Sequence, residues 1–262
     1  MIRSGMSPKD YDVWYDTPRG RWIGEHEWSM VSDALKLQPG DSVLDVGCGT
    51  GWFTRRAEAV PTRVVGLDID PASLAFAQSR SAGHGVYLQG DACALPFADA
   101  SFDKVMSITA LCFVSDWPRA LAEIVRVSRE RFAIGLLNRH SLLYLRKGRQ
   151  GGAGAYSGAR WHTRADLMPV LNRLPTRDCT VASGIVTATA GVAARVAEHL
   201  LPSSWAMASF LLLSGRPAQM ARAGCVPTSG AKRAQDVATV PDLQPTREAW
   251  TTNPPEGEGR WS

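Results

Sequence analysis

Asp45 stands two residues before the first of three glycines at alternate positions, Gly47, Gly49 and Gly51, in the run V-L-D-V-G-C-G-T-G-W-F-T from Val43 to Thr54. Glycines so placed let backbone approach a ligand closely and supply positive φ where a tight turn needs it. A dinucleotide-binding fold asks instead for G-x-G-x-x-G, whose third glycine lets helix and strand pack tightly while the helix N-terminus faces a pyrophosphate. Trp52 occupies that third position here. The pattern present is D-x-G-x-G-x-G, and a carboxylate so near the loop repels a pyrophosphate but suits a ligand carrying an ammonium group. A nicotinamide-dependent oxidoreductase is disfavoured on the same ground.

The elements that must position this turn follow in order. Val43 onward reads as an apolar strand leading into the glycine turn and then a helix. About 20 residues past the glycines, the separation a βαβ unit imposes, Arg63-Val64-Val65-Gly66-Leu67-Asp68 is a β-branched run ending in a carboxylate. Asp68 can accept both hydroxyls of a ribose, whereas Asp70-Pro71 is an N-cap followed by proline at the first helical position. A third strand from Gly85 to Gln89 runs into Gly90-Asp91-Ala92, and a fourth spans Lys104 to Ile108. Asp103 reads as structural, and Phe97 and Phe102, flanking a turn, as core anchors.

With these segments in order the chain resembles the class I S-adenosylmethionine-dependent methyltransferases, whose first motif is matched by Asp45-Val46-Gly47-Cys48-Gly49-Thr50-Gly51 without a departure. The resemblance runs from Tyr11 to Gly215. It implies an α/β fold: a Rossmann-like, doubly wound, seven-stranded, mostly parallel sheet with an antiparallel last strand and helices on both faces. It implies S-adenosyl-L-methionine as cofactor, with Asp45, Gly47, Cys48, Gly49 and Gly51 forming the cradle, Asp68 on the ribose and Ile69 beside it. Asp91 would accept the adenine amino group and Ala92 would lie against the ring, the alternative for Asp91 being a solvated turn residue. The implied activity is methyl transfer to a small, partly hydrophobic molecule, in the broad group similar to ubiquinone and menaquinone C-methyltransferases. A non-catalytic cofactor-binding regulatory or assembly protein is the competing function.

The chain divides into an N-terminal lid and helix (1–41), a cofactor-binding domain (42–215) containing an acceptor-side insertion (138–176), and a tail (216–262) whose prolines, with Ala, Thr and Gly between, predict disorder. Gly20 to Leu37 reads as a helix ended by Pro39-Gly40-Asp41, and Pro118 to Val127 as one with Leu121, Ile124 and Val125 inward. Phe132 to Leu137 is a fifth strand; two more, near Asp178 to Thr187 and Ala206 to Ser214, complete the sheet. In similar enzymes aromatic leaders fold over the cofactor, which makes Tyr11, Tyr15 and Arg19 candidates for contact with the methionine end or the acceptor. The other reading packs Trp14 and Tyr15 on the sheet edge, with Arg19 in water. In the insertion, His140 and Tyr144 are acceptor-side candidates, the loop from Gly148 to Gly158 is a candidate flap, and Thr163 with Asp166 predicts a capping box. Of His26, His84, His140 and His162, the last two are best placed for a general base, and none is assigned.

Composition narrows the partners. A net charge of +4 across 262 residues neither demands nor excludes an acidic partner, and no clustered basic stripe marks a nucleic-acid binder. The end of the fourth strand reads Ser107-Ile108-Thr109-Ala110-Leu111 rather than the [DN]-P-P-[YF] that grips a flipped base, and Asn253-Pro254-Pro255-Glu256 lies in the tail. A small-molecule acceptor is therefore expected; the apolar residues Leu111, Phe113, Leu142, Leu143 and Tyr144 favour a partly hydrophobic one, though they could equally be core. Five cysteines without a C-x-x-C pair point to reduced thiols in the cytoplasm and offer no metal spacing. Residues 1–10 lack a secretory core, and Leu200 to Ser214, broken by Pro202, falls short of the roughly 20 residues of a membrane span.

Overall fold

The computed structural model describes residues 7–60, 62–81, 85–185 and 208–218. Within them β1 (Ser42–Val46), β2 (Arg63–Asp68), β3 (Val86–Gln89), β4 (Phe102–Ile108), β5 (Ser128–Leu137), β6 (Thr176–Gly184) and β7 (Phe210–Pro217) form one seven-stranded sheet in the order β3-β2-β1-β4-β5-β7-β6. The first five pair in parallel, and β7 enters between β5 and β6, antiparallel to both. The doubly wound sheet with an antiparallel last strand is thus the one expected. Its last two strands are offset from the predicted spans, and the predicted ends at Thr187 and Ala206 lie outside the described residues, as do His84 and positions 219–262 of the tail.

Every residue of β1 is buried, which is why a parallel strand covered on both faces reads as a nearly unbroken apolar run. Alternation sorts the side chains between two cores. Val43, Met106 and Ile108 meet Trp22, Val31 and Leu35 of helix α2 (Pro18–Leu35), preceded by α1 (Pro8–Trp14), whereas Leu44, Val46 and Val105 share the other core with residues of a later helix. Asp45 lies between Leu44 and Val46 and so projects to the α2 face. The chain leaves β1 toward β2 on one side and returns to β4 on the other. That reversal opens a crevice at the carboxyl ends of β1 and β4.

Local chemistry sets most helix ends. Thr17 caps α2 and Pro18 follows, two residues before the predicted start; the helix stops at Leu35 because Lys36 turns left-handed at φ 53°, ahead of the expected Pro39-Gly40-Asp41. Helix α3 (Trp52–Glu58) starts directly from Gly51, and Asp70 caps α4 (Pro71–Arg80), accepting from Ala72 N and Ser73 Oγ. Asp116 caps α5 (Trp117–Val127), whose Leu121, Ile124 and Val125 are buried as predicted. The capping box of Thr163 and Asp166 opens α6 (Arg164–Leu171). Asp103 is structural, accepting from Ser42 N and Oγ and pairing with Arg129, while Phe97 and Phe102 meet edge to face at 4.9 Å in the core.

Candidate cofactor and acceptor site

The three glycines serve three different purposes. All have positive φ (75°, 53° and 76° at Gly47, Gly49 and Gly51), a region costly for other residues. A Cβ at Gly47 would overlap the Ala110 methyl in the turn after β4, and one at Gly51 would press on Tyr87 and Ala77. At Gly49 it would meet nothing within 4 Å. Gly47 and Gly51 therefore permit packing, and Gly49 presents bare backbone to the crevice. The loop is stapled to β2, with Gly47 N and Cys48 N both donating to Leu67 O.

Two buried carboxylates flank this backbone. Asp45, 2% exposed, accepts from Thr54 Oγ1 at 2.7 Å, and burial pushes its carboxyl up to about 7, with that hydrogen bond opposing the rise and Asp68 adding to it. Asp68 accepts from Gly49 N at 2.8 Å through one oxygen and from Asp70 N at 2.9 Å through the other, so it fixes the loop as well as ending β2. Beyond it, Ile69 is 54% exposed. Asp91 is exposed and accepts from Cys93 N in a tight turn, and Ala92 packs on the core beneath. The Thr50 hydroxyl is buried on the loop with no hydrogen-bond partner among the described residues. A bare backbone edge, two carboxylates and an unsatisfied hydroxyl fit a ligand with an ammonium group and vicinal hydroxyls.

The opposite wall is aromatic. Tyr15 stacks on Trp52 (centroids 4.3 Å apart, planes at 21°) and meets Tyr11, Trp14 and Phe53 edge to face. The Arg56 guanidinium caps the outer face of Trp52 at 3.1 Å from its ring centre, and Gly24 of α2 lets Trp52 and Tyr15 approach. Asp12 of α1, buried, pairs with Arg55 at 2.8 Å, and Arg55 donates onward to Thr50 O at 2.7 Å, tying the leader to the glycine loop. The resulting cleft is lined by Tyr11, Tyr15, Asp45, Gly47, Cys48, Gly49, Thr50, Trp52, Phe53 and Ile108.

Six of the residues expected from sequence thus line one cleft: Tyr11, Tyr15, Asp45, Gly47, Cys48 and Gly49. Gly51 and Asp68 support it from behind. Arg19 is exposed, acting electrostatically on Tyr156 of the insertion. His140 is exposed and Tyr144 packs edge to face on Trp161. His162 is buried edge-on to Trp117, and burial lowers its imidazole to about 4, which leaves it neutral. The glycine loop of the insertion winds through short helical turns, with Gly148 wedged between Tyr144 and Trp161. Sequence reasoning missed Thr50, Phe53, Ile108 and the Asp12–Arg55 pair, and took Trp52 only as the absence of a glycine. The W-F pair opening α3, next to an aromatic leader, was the available signal.

A family model described as a methyltransferase domain matches residues 44–131. Among curated proteins, a malonyl-[acyl-carrier protein] O-methyltransferase of Serratia marcescens is 41% identical over 109 residues, 42% of this chain and 41% of that protein. A 2-phytyl-1,4-naphtoquinone methyltransferase of Synechocystis is 35% identical over 152 residues, 55% and 58% of the two chains. The chain thus matches only about two-fifths to three-fifths of the length of these relatives. Among solved structures, an S-adenosylmethionine-dependent methyltransferase of Thermotoga maritima, a possible histamine N-methyltransferase, superposes with TM-score 0.59 at 22% identity over 79% of this chain and 94% of its own. Magnesium protoporphyrin IX methyltransferase of Synechocystis, solved with bound S-adenosylhomocysteine, gives 0.54 at 17% identity over 76% and 84%. The D-x-G-x-G-x-G loop, the sheet order and these matches agree: residues 44–131 match a methyltransferase domain, and the sheet has the fold of solved S-adenosylmethionine-dependent methyltransferases.

Proposed function

We propose that the chain transfers a methyl group from S-adenosylmethionine to a small, partly hydrophobic acceptor. The observation that carries this reading is the open face of Gly49 between the buried carboxylates of Asp45 and Asp68, closed over by the Tyr11 and Tyr15 rings. In it, Asp45 neutralises the ammonium of the methionine end and Asp68 keeps acceptor oxygens for the ribose while holding the loop through Gly49 N. Gly47, Cys48 and Gly49 supply backbone, Gly51 keeps α3 close, and Ile69, Asp91 and Ala92 border the purine. Tyr11 and Arg19 close the methionine end; Tyr15, His140 and Tyr144 belong to the acceptor side. When bound, the cofactor supplies an electrophilic methyl carbon on a sulfonium. The residues of the chain contribute alignment, exclusion of water by the aromatic wall, and an anionic surface for a ligand whose positive charge disperses on transfer.

The domain assignment goes with this reading: a lid and helix over 1–41, a cofactor-binding domain over 42–215 with the acceptor wall in 138–176, and a tail over 216–262. The relatives' names include quinone and acyl-carrier substrates, which supports a small or carrier-borne acceptor over nucleic acid. No helix among the described residues is long and apolar enough to cross a membrane. Five cysteines without a paired motif support a cytoplasmic setting. Calorimetry with S-adenosylhomocysteine tests the cradle: wild type binds, and Asp68→Ala weakens binding by about 1–3 kcal/mol, the cost of removing a buried hydrogen-bonding partner. Labelled methyl transfer into a metabolite extract then separates an enzyme from a protein that binds the cofactor without turnover.

A further inference from the structure

After β5 the insertion begins Arg139-His140-Ser141-Leu142-Leu143-Tyr144-Leu145-Arg146-Lys147-Gly148-Arg149. One side of this segment is rooted: Ser141 is buried and donates to Asn138 O, Leu143 and Tyr144 pack on the core, and Gly148 is wedged between Tyr144 and Trp161. The other side faces water. Leu142 and Leu145, a turn apart, are 45% and 49% exposed, and Arg139, Arg146, Lys147 and Arg149 around them are exposed too. Leu142, one of the apolar residues expected beside the acceptor, is not among those lining the cleft. None of these four cations joins an ion pair among the described residues, whereas Arg55, Arg56, Lys104, Arg126 and Arg129 all do. Residues 138–176 hold seven Arg or Lys against one Asp, a surplus of six in a chain of net charge +4, so the remainder nets −2. A single exposed leucine needs no explanation, but two together among unpaired cations mark an interaction surface. That surface shares an edge of the sheet with the cleft. Ile108, the end of β4, lines the cleft; beyond it Cys112 O accepts from Arg160 N at 2.6 Å, and Leu137 O, the end of β5, accepts from His162 N at 2.8 Å. Trp161, between those two amides, carries the rings of Tyr144 and Tyr156.

We propose that this face docks the protein on an anionic lipid surface, with Leu142 and Leu145 entering the boundary between headgroups and acyl chains and Arg139, Arg146, Lys147 and Arg149 meeting the lipid phosphates. Two half-exposed leucines offer too little apolar area to hold a protein on a bilayer by themselves. Each Lys or Arg near an anionic leaflet strengthens association about fivefold, so the cations and leucines together supply the two signals that stable anchoring needs. The cations fix the sign of the partner. The leucines select lipid over an acidic protein, because a protein must present fitted pockets among its carboxylates, whereas acyl chains receive any exposed leucine. They also set the face apart from a single-stranded nucleic-acid groove, in which cations track a backbone between stacking aromatic rings. Only the use of this docking rests on the methyltransferase reading above: a partly hydrophobic acceptor dissolved in the bilayer then meets the carboxyl edge of the sheet, where the cleft opens, without passing through water.

Vesicle sedimentation with the full chain, read without cofactor or acceptor, tests this. Wild type should sediment with vesicles of phosphatidylcholine and phosphatidylglycerol in equal parts, far less with phosphatidylcholine alone, and should be released as salt rises. The triple variant Arg146→Gln, Lys147→Gln, Arg149→Gln should lose about 100-fold in partition coefficient, three charges at about fivefold each. The double variant Leu142→Ser, Leu145→Ser should lose about tenfold. All five side chains are exposed, so both variants should melt as wild type does. Wild type that ignores the anionic vesicles overturns the proposal, and so does binding that survives either set of substitutions. Retention of the leucine variant on immobilised polyglutamate as tightly as wild type, with vesicle binding lost only in the charge variant, would assign the face to an acidic protein and overturn it as well. Calorimetry with S-adenosylhomocysteine is read separately: wild type that binds vesicles but not S-adenosylhomocysteine upholds the docking face and counts against the methyltransferase reading alone.

Discussion

On the β1–β2 side of the cleft the chain is held by backbone: Leu67 O receives two amides of the glycine loop, Asp68 receives two more, and Thr54 secures Asp45. On the leader side it is held by rings, with Tyr15 on Trp52, Arg56 over Trp52, and Tyr11, Trp14 and Phe53 around Tyr15. The first wall rests on directional bonds that set atomic positions. The second rests on apolar area and quadrupolar contacts that tolerate rearrangement. On the function proposed above, the rigid wall serves the cofactor, and the adaptable wall closes the methionine end through Tyr11 and meets the acceptor through Tyr15.

The aromatic wall breaks with the largest effect. Trp52→Ala removes the surface on which Tyr15, Gly24 and Arg56 converge, and should cost about 3–5 kcal/mol in chemical denaturation. A loss under about 1 kcal/mol would mean the rings merely cover the site, because a buried large-to-small change in a packed wall does not come that cheaply.

The glycine loop should separate stability from binding. Gly47→Ala combines left-handed strain with overlap of the Ala110 methyl and should destabilise by about 2–4 kcal/mol. Gly49→Ala carries only the strain, about 1–2 kcal/mol, yet puts its methyl into the crevice. Its melting temperature should therefore fall less than that of Gly47→Ala, while its S-adenosylhomocysteine affinity, read by calorimetry, should fall steeply. Parallel losses in both properties for both variants would erase the distinction between packing and ligand-facing glycines.

The same contrast explains what could be read beforehand. The β1–β2 wall has local requirements: positive φ at fixed spacing, a strand ending in a carboxylate, a proline after an N-cap. Each leaves its mark within a few residues of where it acts. The parallel sheet followed from the alternation of strands and helices and its antiparallel last strand from the family resemblance, while several element ends were set by single backbone events, such as Lys36 turning left-handed, and helix α1 was read only as an aromatic leader. The leader wall joins α1, α2, α3 and the insertion across long separations, and no periodicity encodes a ring stack between Tyr15 and Trp52.

The two walls meet at the Asp12–Arg55–Thr50 connection, and it tests whether they open as one unit or two. Asp12→Asn keeps the shape and one acceptor oxygen for Arg55 but removes the charge. The pair is neither exposed nor fully enclosed, with side chains 7% and 20% accessible, so the cost should fall above the surface-pair range and below that of a fully buried pair, about 1–2 kcal/mol. Global stability is the less informative readout. Hydrogen exchange should quicken at the amides that anchor the leader, Tyr11 N to Ser7 O and Tyr15 N to Asp12 O, while those from Gly47 and Cys48 to Leu67 O keep wild-type protection. Arg55 still donates to Thr50 O, so the glycine loop retains that support when the leader loosens. Equal acceleration at both sets of amides would show that rings and backbone form a single cooperative unit, and the division between a fixed cofactor wall and an adaptable acceptor wall would fall with it.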